Sequence, residues 1–282
     1  MKMINHKTFA FVFALAIITA GCKKNTEEDF DTQSSQDNAQ AEGILNDMNE
    51  IADQAVEDGT ISTHRDGAGE YGWLTSCATI TTTIDTLTGS GTSTINFGSH
   101  YCQGNDTRWR KGLITVSFNG AYRNPGTTIT ITATDYFVGY DSLYATKVNG
   151  HRTVTNNGNN NAGHLNYSIV ANAVFVNYLN QQLTWNSTRN REWIAGDSTA
   201  TWADDEYLIT GSANGTSFAG VNFTATINEA LDVKLNCRFI TKGKFTLTPE
   251  GKQDRVLDYG DGTCDNAATV TIGSKTYEIN LR

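Results

Sequence analysis

The sequence predicts a mainly β protein, in which an antiparallel, β-sandwich-like domain at 73–282 follows one short amphipathic helix at 41–58. Two patterns predict this fold class. From Trp73 onward, Thr, Val, Ile and aromatic residues alternate with polar ones in about ten to fourteen short segments separated by Gly, Asn or Asp. Before that point, apolar residues recur at intervals of three and four, as on one face of a helix. They are Ile44, Leu45, Met48, Ile51, Ala52 and Ala55.

The first 22 residues carry an export pattern. Lys2 and Lys7 flank the start of an uncharged apolar stretch at 9–18, which is shorter than the roughly 20 residues that a spanning helix needs. Thr19-Ala20-Gly21-Cys22 follows, and this block resembles the lipobox of bacterial lipoproteins. The resemblance implies a signal peptide at 1–21 and a lipid anchor, including palmitate, on Cys22. The alternative is an ordinary secretory signal that is cut after Ala20.

The segment at 22–40 reads as an acidic, flexible tether, because its Gln, Ser, Asn and Asp residues bury little apolar surface. Its lysines and carboxylates resemble the export signals of Bacteroidetes-type lipoproteins, which implies attachment to the outer membrane. Whether the protein faces the periplasm or the outside stays open. The net charge of −9 disfavours nucleic acid and anionic lipid headgroups as partners.

Four cysteines remain when Cys22 is assigned to lipid, and an even number in an exported chain predicts disulfides. Similar spacings and similar surroundings favour Cys77 with Cys102 and Cys237 with Cys264. Each pair encloses two strands and a Gly-containing turn. We therefore predict two disulfide-clipped hairpins, related as a degenerate repeat, that bracket the β domain.

No catalytic residue can be assigned from a motif. The histidines at 64, 100, 151 and 164 lie far apart, and the chain lacks a nucleophile elbow, a phosphate-binding Gly loop and a His-Glu-x-x-His zinc motif. An enzyme is therefore the secondary interpretation.

Asp258, Asp261 and Asp265 are candidate calcium ligands, because they cluster around two turn-forming glycines and calcium prefers carboxylate and amide oxygens. The alternative is a tight turn whose Asp side chains cap their own backbone. The turn Asp258-Tyr259-Gly260-Asp261-Gly262 also resembles that of polycystic-kidney-disease-type β modules. That resemblance implies an extracellular β module with 277–281 as its last strand.

A run of carboxylates at Asp204, Asp205 and Glu206 lies between Trp202 and Tyr207. Glycosidases need paired carboxylates, and aromatic rings stack on sugars. Adjacent residues of a strand point to opposite faces, however, so a charged loop is the favoured interpretation.

Arg189, Arg191 and Trp193 fall on one face if the strand holds, and form a candidate ligand-binding group. An arginine pair beside tryptophan can bind a carboxylate or a sugar acid. A cation-to-ring ladder on a solvent-facing sheet is the more common use of such a pattern.

Taken whole, the chain resembles envelope lipoproteins of the Bacteroidetes type in its lipobox, acidic tether and Thr- and Asn-rich β domain. This resemblance implies a location and transfers no activity. We predict a non-catalytic module that binds a glycan, a peptide or an envelope protein. A polysaccharide hydrolase that uses Asp204 or Glu206 is the alternative, and a purely scaffolding subunit is the third.

Overall fold

The computed structural model describes residues 29–60, 77–199, 201 and 203–281, with the side chains of 56–60 excepted. The predicted signal peptide, Cys22, the first part of the tether, His64, the start of the predicted β domain at 73–76 and Trp202 lie outside this range. Within it, no helix combines the length and the apolarity needed to cross a bilayer.

The described part of the chain contains one helix and thirteen strands. The helix, α1, spans Gln33–Thr60. The strands are β1 (Thr79–Ile84), β2 (Gly91–Gln103), β3 (Trp109–Phe118), β4 (Thr128–Gly139), β5 (Thr146–Asn159), β6 (Leu165–Val176), β7 (Gln182–Ala195), β8 (Glu206–Thr216), β9 (Asn222–Lys234), β10 (Lys242–Pro249), β11 (Arg255–Asp261), β12 (Ala267–Ile272) and β13 (Lys275–Asn280).

The strands form a single antiparallel sheet in which each strand pairs with its neighbours in the chain, from β1 to β13. The prediction of a mainly β, antiparallel protein with one helix near the amino end is confirmed. The described strands do not divide into the two stacked sheets of a sandwich. Alternation predicts that one sheet face is buried, but it does not say whether a second sheet or a helix covers that face.

Here the helix covers it. Side chains of β3, β5, β7 and β11 all hydrogen-bond to α1 or to the residues just before it, through Arg110, Arg152, Arg189 and Arg255. Because strands spread across the whole sheet contact one helix, the sheet curls around it. We call this curled sheet the shell.

Both faces of α1 are buried. Leu45 and Met48 are each 1% exposed, but so are Asp47 and Asp53 on the polar side. The apolar stripe predicted from the sequence lies in one continuous core. The polar face is not exposed to solvent as it would be in an amphipathic surface helix.

The helix starts at Gln33 rather than at 41, so the second half of the predicted tether is helical. The Asp31 carboxylate accepts a hydrogen bond from the Gln33 backbone N–H at 3.0 Å and caps the first turn. Partial burial opposes ionisation of this carboxyl, but hydrogen bonds from Lys252 and from Gln33 hold the pKa of Asp31 below its ordinary value. Asp37 and Asn38 of the first turns accept hydrogen bonds from Phe218 and Trp185 of the shell, which local composition does not predict.

Glycines at register shifts between strands allow the sheet to bend around the helix. Gly112, Gly211 and Gly243 lie at register shifts of β3, β8 and β10 and have φ values of 97°, 120° and 110°. A Cβ atom at any of them would collide with the backbone of the neighbouring strand. Such bulges bend a strand and increase its twist.

Two disulfides join Cys77 to Cys102 and Cys237 to Cys264, with Cα atoms 5.5 and 5.7 Å apart. The first closes the open end of the β1–β2 hairpin and the second closes that of β10–β11. These are the pairs and the hairpins that the spacing favours. They lie near the two ends of the strand order.

Candidate functional site

The inside of the shell differs between the two halves of α1. From Glu42 to Asp53, arginines from the sheet reach helix carboxylates. Along the first half, the helix faces a cavity of about 740 Å³.

The arginine-bound half centres on Asp47. Its carboxylate lies 2.6 Å from Nη1 of Arg108 and 2.5 Å from Nη2 of Arg110. Arg110 also bonds to Asp106 and donates to the hydroxyl of Tyr136 at 3.1 Å. Burial alone would raise the pKa of Asp47, but the adjacent guanidinium groups hold it below its ordinary value.

Two further ion pairs lie on β7. Nη2 of Arg189 is 2.6 Å from the Glu42 carboxylate, and Nη1 of Arg191 is 2.7 Å from that of Asp53. Arg191 also lies 3.6 Å above the ring of Tyr207. A buried charge that loses its partner is costly, so these contacts fix the position of the helix in the shell.

Glu50 is half-buried and lies on the helix between Asp47 and Asp53, on the side that carries their ion pairs. Burial, followed by the negative charge of Asp47, raises its pKa to about 8, although Arg108 and Arg191 oppose the shift. No described residue makes an ion pair with it. Glu50 is therefore largely protonated at neutral pH in the folded protein.

The cavity is bounded on one side by α1 and on the other by four loops of the shell. The loops are 140–145, 177–181, 217–221 and 235–241. The helix residues that line it are Gln33, Gln36, Asp37, Ala39, Gln40, Gly43 and Ile44. They recur every three or four positions and so form one face of the helix.

Two exposed tyrosines line the cavity. Tyr144 and Tyr178 meet edge to face, with ring centroids 5.0 Å apart, and are 58% and 54% exposed. Leu143 and Leu179 beside them are also exposed. We call these four residues the rim.

The opposite wall carries a guanidinium stacked on rings. Arg238 lies 5.2 Å from the ring centre of Tyr140 and 5.0 Å from that of Phe239. Its Nη1 donates to Oγ1 of Thr107 at 2.7 Å. The loop between β9 and β10 is thereby fastened to the β2–β3 loop, which closes this side of the cavity.

The polar groups of the helix wall are partly satisfied. The Asp37 carboxylate accepts hydrogen bonds from Nε2 of Gln33 and from the backbone N–H of Phe218, and burial raises its pKa. Nε2 of Gln40 donates to Oγ1 of Thr146 at 3.0 Å.

Gly43 lies in the middle of α1 and lines the cavity. A Cβ atom at this position would meet nothing within 4 Å. A helix-interior glycine destabilises by roughly 0.5–1 kcal/mol relative to alanine. Neither packing nor a left-handed backbone explains this glycine; its effect is to leave free volume in the cavity.

The candidate calcium ligands each hydrogen-bond within their own turn. Asp258 accepts from the N–H of Gly260, Asp261 from that of Thr263, and Asp265 from that of Ala267. Nζ of Lys244 lies 3.4 Å from Asp258. Among the described residues, no three acidic, histidine or cysteine side chains are grouped as metal ligands.

Arg189, Arg191 and Trp193 do share one face, as predicted. That face is the inner one, and all three side chains are at most 4% exposed. The two guanidinium groups bind Glu42 and Asp53, so the arginines contact the helix rather than solvent.

The three carboxylates of the run at 204–206 lie in different environments. Asp204 is exposed and accepts from Oγ1 of Thr199, Asp205 is buried, and Glu206 starts β8. Burial, followed by the charge of Asp232, raises the pKa of Glu206. None of the three lines the cavity.

The described histidines are also dispersed. Nδ1 of His164 lies 2.7 Å from Glu192, His100 contacts Ser99, and His151 lies in β5 opposite Asn172. They form no common site.

Sequence analysis did not find the cavity. Its walls come from positions between 33 and 281, and no local spacing connects them. The available signal was a pair of aromatic and leucine dipeptides, Leu143-Tyr144 and Tyr178-Leu179, which are exposed in the structure and lie in the loops after β4 and β6.

No known family model, curated protein or solved structure matches this chain. The function of the protein is therefore inferred from the geometry of the molecule.

Proposed function

We propose that this protein is a lipid-anchored, non-catalytic binding module of a bacterial envelope, held at the outer membrane, and that its ligand occupies the cavity beside α1. The lipobox-like block before Cys22 supports the anchor. The paired cysteines fit an exported chain, because disulfides persist in oxidising compartments.

The observation that carries the binding role is Gly43. The position would accept alanine without a clash and with a gain in helix stability. Glycine instead leaves space in a cavity that two exposed tyrosines line. A cavity of about 740 Å³ falls in the range of roughly 300–1,000 Å³ typical of small-molecule sites.

The test compares Gly43→Phe with Gly43→Ala in the purified, folded protein. Both variants are screened against soluble oligosaccharides, peptides and fatty acids. We expect a ligand of one class to bind the parent and Gly43→Ala, and to lose binding in Gly43→Phe, whose ring fills the cavity. Binding that survives Gly43→Phe, or no ligand in any class, would remove the cavity from the proposal.

The anchor is tested separately. Mass spectrometry of the amino-terminal peptide should find acyl groups on Cys22, and Cys22→Ser should move the protein from the membrane fraction to the soluble fraction. An unmodified thiol at Cys22 would contradict the anchor without affecting the cavity. A pull-down with the lipidated form distinguishes a scaffold for an envelope complex from a small-ligand binder.

A polysaccharide hydrolase is the second candidate. The contact between the Glu206 and Asp232 carboxyl groups favours it, because glycosidases use paired carboxylates. Turnover of a polysaccharide that disappears in Glu206→Gln and persists in the exposed control Glu229→Gln would place this candidate first.

A further inference from the structure

We infer that the cavity binds a neutral oligosaccharide, with one sugar ring packed against the tyrosines of the rim and its hydroxyl groups bonded to amide side chains deeper in the cavity. This inference rests on the proposed function and specifies its ligand.

The rim offers flat apolar faces. Tyr144 and Tyr178 are more than half exposed although their rings touch each other. Rings of this kind pair an apolar body with a polar tip, as the C–H faces and hydroxyl edges of a sugar do. Exposed rings at the mouth of a cavity are therefore placed to stack on a sugar that enters it.

The wall is rich in amide groups. Side-chain amides around the cavity come from both the helix and the shell. Gln36 and Gln40 are half-buried on the helix, Asn177 is half-buried and bonds to Gln181, and Gln33, Gln181 and Asn280 are exposed. Each amide carries donor and acceptor atoms side by side, which suits adjacent sugar hydroxyls that both donate and accept. Of these amides, Gln40 bonds only to one threonine hydroxyl among the described residues, so its carbonyl oxygen can accept from a ligand.

The charges of the wall balance. Two acidic residues, Asp37 and Asp141, face two basic ones, Arg108 and Arg238. Arg108 also pairs with Asp47, and Asp37 accepts hydrogen bonds from Gln33 and Phe218. A site without excess charge favours a neutral ligand over a sugar acid.

An acyl chain suits the cavity less well. It would cover the Gln40 side chain and offer no donor to its carbonyl oxygen, which bonds to no other described residue. A buried polar group left unbonded is costly. The aromatic rim alone would accept a lipid, but the helix wall would not.

The experiment titrates neutral oligosaccharides of three to six units, drawn from gluco-, xylo- and manno-series, into the folded protein by calorimetry. Uronic-acid oligosaccharides, a fatty acid and unrelated peptides serve as the other arms. We expect millimolar or tighter binding of at least one neutral series only.

Two variants of Tyr178 test whether its ring stacks on the sugar. Tyr178→Ala should weaken binding by about five- to tenfold, because it removes a stacking ring, whereas Tyr178→Phe should keep most of the affinity. Leu87→Ala, at a 95% exposed residue of the β1–β2 turn, is the control and should change nothing.

The outcomes separate the two proposals. A fatty acid, peptide or uronic acid that binds and is lost in Gly43→Phe would overturn the sugar assignment and keep the cavity as the ligand site. Failure of every neutral series at millimolar concentration overturns the inference. If nothing binds and Gly43→Phe behaves as the parent, the proposed binding function falls with it.

Discussion

The two halves of α1 meet the same sheet in different ways. Around Asp47 and Asp53, carboxylates bind buried arginines. Around Gln36, Gln40 and Gly43, short or neutral side chains leave open volume. Both halves are polar by composition, so polarity alone does not distinguish the part that holds the fold from the part that can hold a ligand.

The difference follows from charge. A carboxylate inside a protein requires a cation, and the long arginine side chain fills space as it supplies one. An amide has no such requirement and can bond to a hydroxyl or to water. The arginine-bound half should therefore dominate stability, and the cavity half should dominate binding.

The largest expected effect comes from Asp47→Asn. This change leaves Arg108 and Arg110 with one carboxylate fewer in the interior and should lower the free energy of unfolding by about 3 kcal/mol. Asp37→Asn in the cavity half should cost less than about 1 kcal/mol, because no described cation pairs with this carboxylate and the amide oxygen can still accept from the backbone N–H of Phe218. Urea denaturation measures both; equal losses would erase the distinction between the halves.

The next effect depends on pH. The folded pKa of Glu50, about 8, lies above the ordinary value of 4.5. Its contribution to stability is therefore present below about pH 4.5 and is lost as the pH rises through about 8. Glu50→Gln should match the parent at pH 5 and exceed it by about 1–3 kcal/mol at pH 9, a range reduced for partial exposure.

Chemical denaturation at five pH values between 5 and 9 checks this result. Glu229→Gln, on the outer surface, should leave the pH profile of the parent unchanged. A Glu50→Gln profile parallel to that of the parent would show that Glu50 is ionised in the folded state.

A smaller effect of opposite sign is expected at Gly43. Gly43→Ala should raise the free energy of unfolding by roughly 0.5–1 kcal/mol, since alanine favours the helix and meets no atom within 4 Å. Differential scanning calorimetry should register a higher melting temperature. A lower one would mean that the space beside Gly43 is already filled.

The smallest effect on stability belongs to the rim. Tyr144→Ala and Tyr178→Ala remove rings that are more than half exposed, and each should change the free energy of unfolding by less than about 0.5 kcal/mol. A loss of several kcal/mol in denaturant titrations would instead assign the rim to the fold.

Much of the fold follows from short-range patterns. Alternation predicted the strands, the spacing of Ile44, Leu45, Met48 and Ile51 predicted the buried stripe of the helix, and matching cysteine intervals gave the pairs that the structure contains. The start of the helix was missed because Asn38 bonds to Trp185, 147 positions away. Local composition holds no information about such a partner.

The site was harder to predict. Period two placed Arg189 and Arg191 on one face, but it could not say that carboxylates of α1 lie opposite them. The sandwich was not confirmed for the same reason, since strand patterns do not reveal what fills the concave side of a sheet. The cavity depends on loops that only the curled sheet brings together.

The contact between Asp31 and Arg255, which are 224 positions apart, has a consequence for the order of events during synthesis. The segment that leads into α1 is synthesised early, and its arginine partner is synthesised late. A nascent polypeptide that stops short of β11 lacks Arg255, which bonds to the backbone carbonyl of Asp31 and to the carboxylate of Asp29. The domain can therefore finish closing only after almost all of it has been translated, which makes folding slow and leaves the chain open for a long interval.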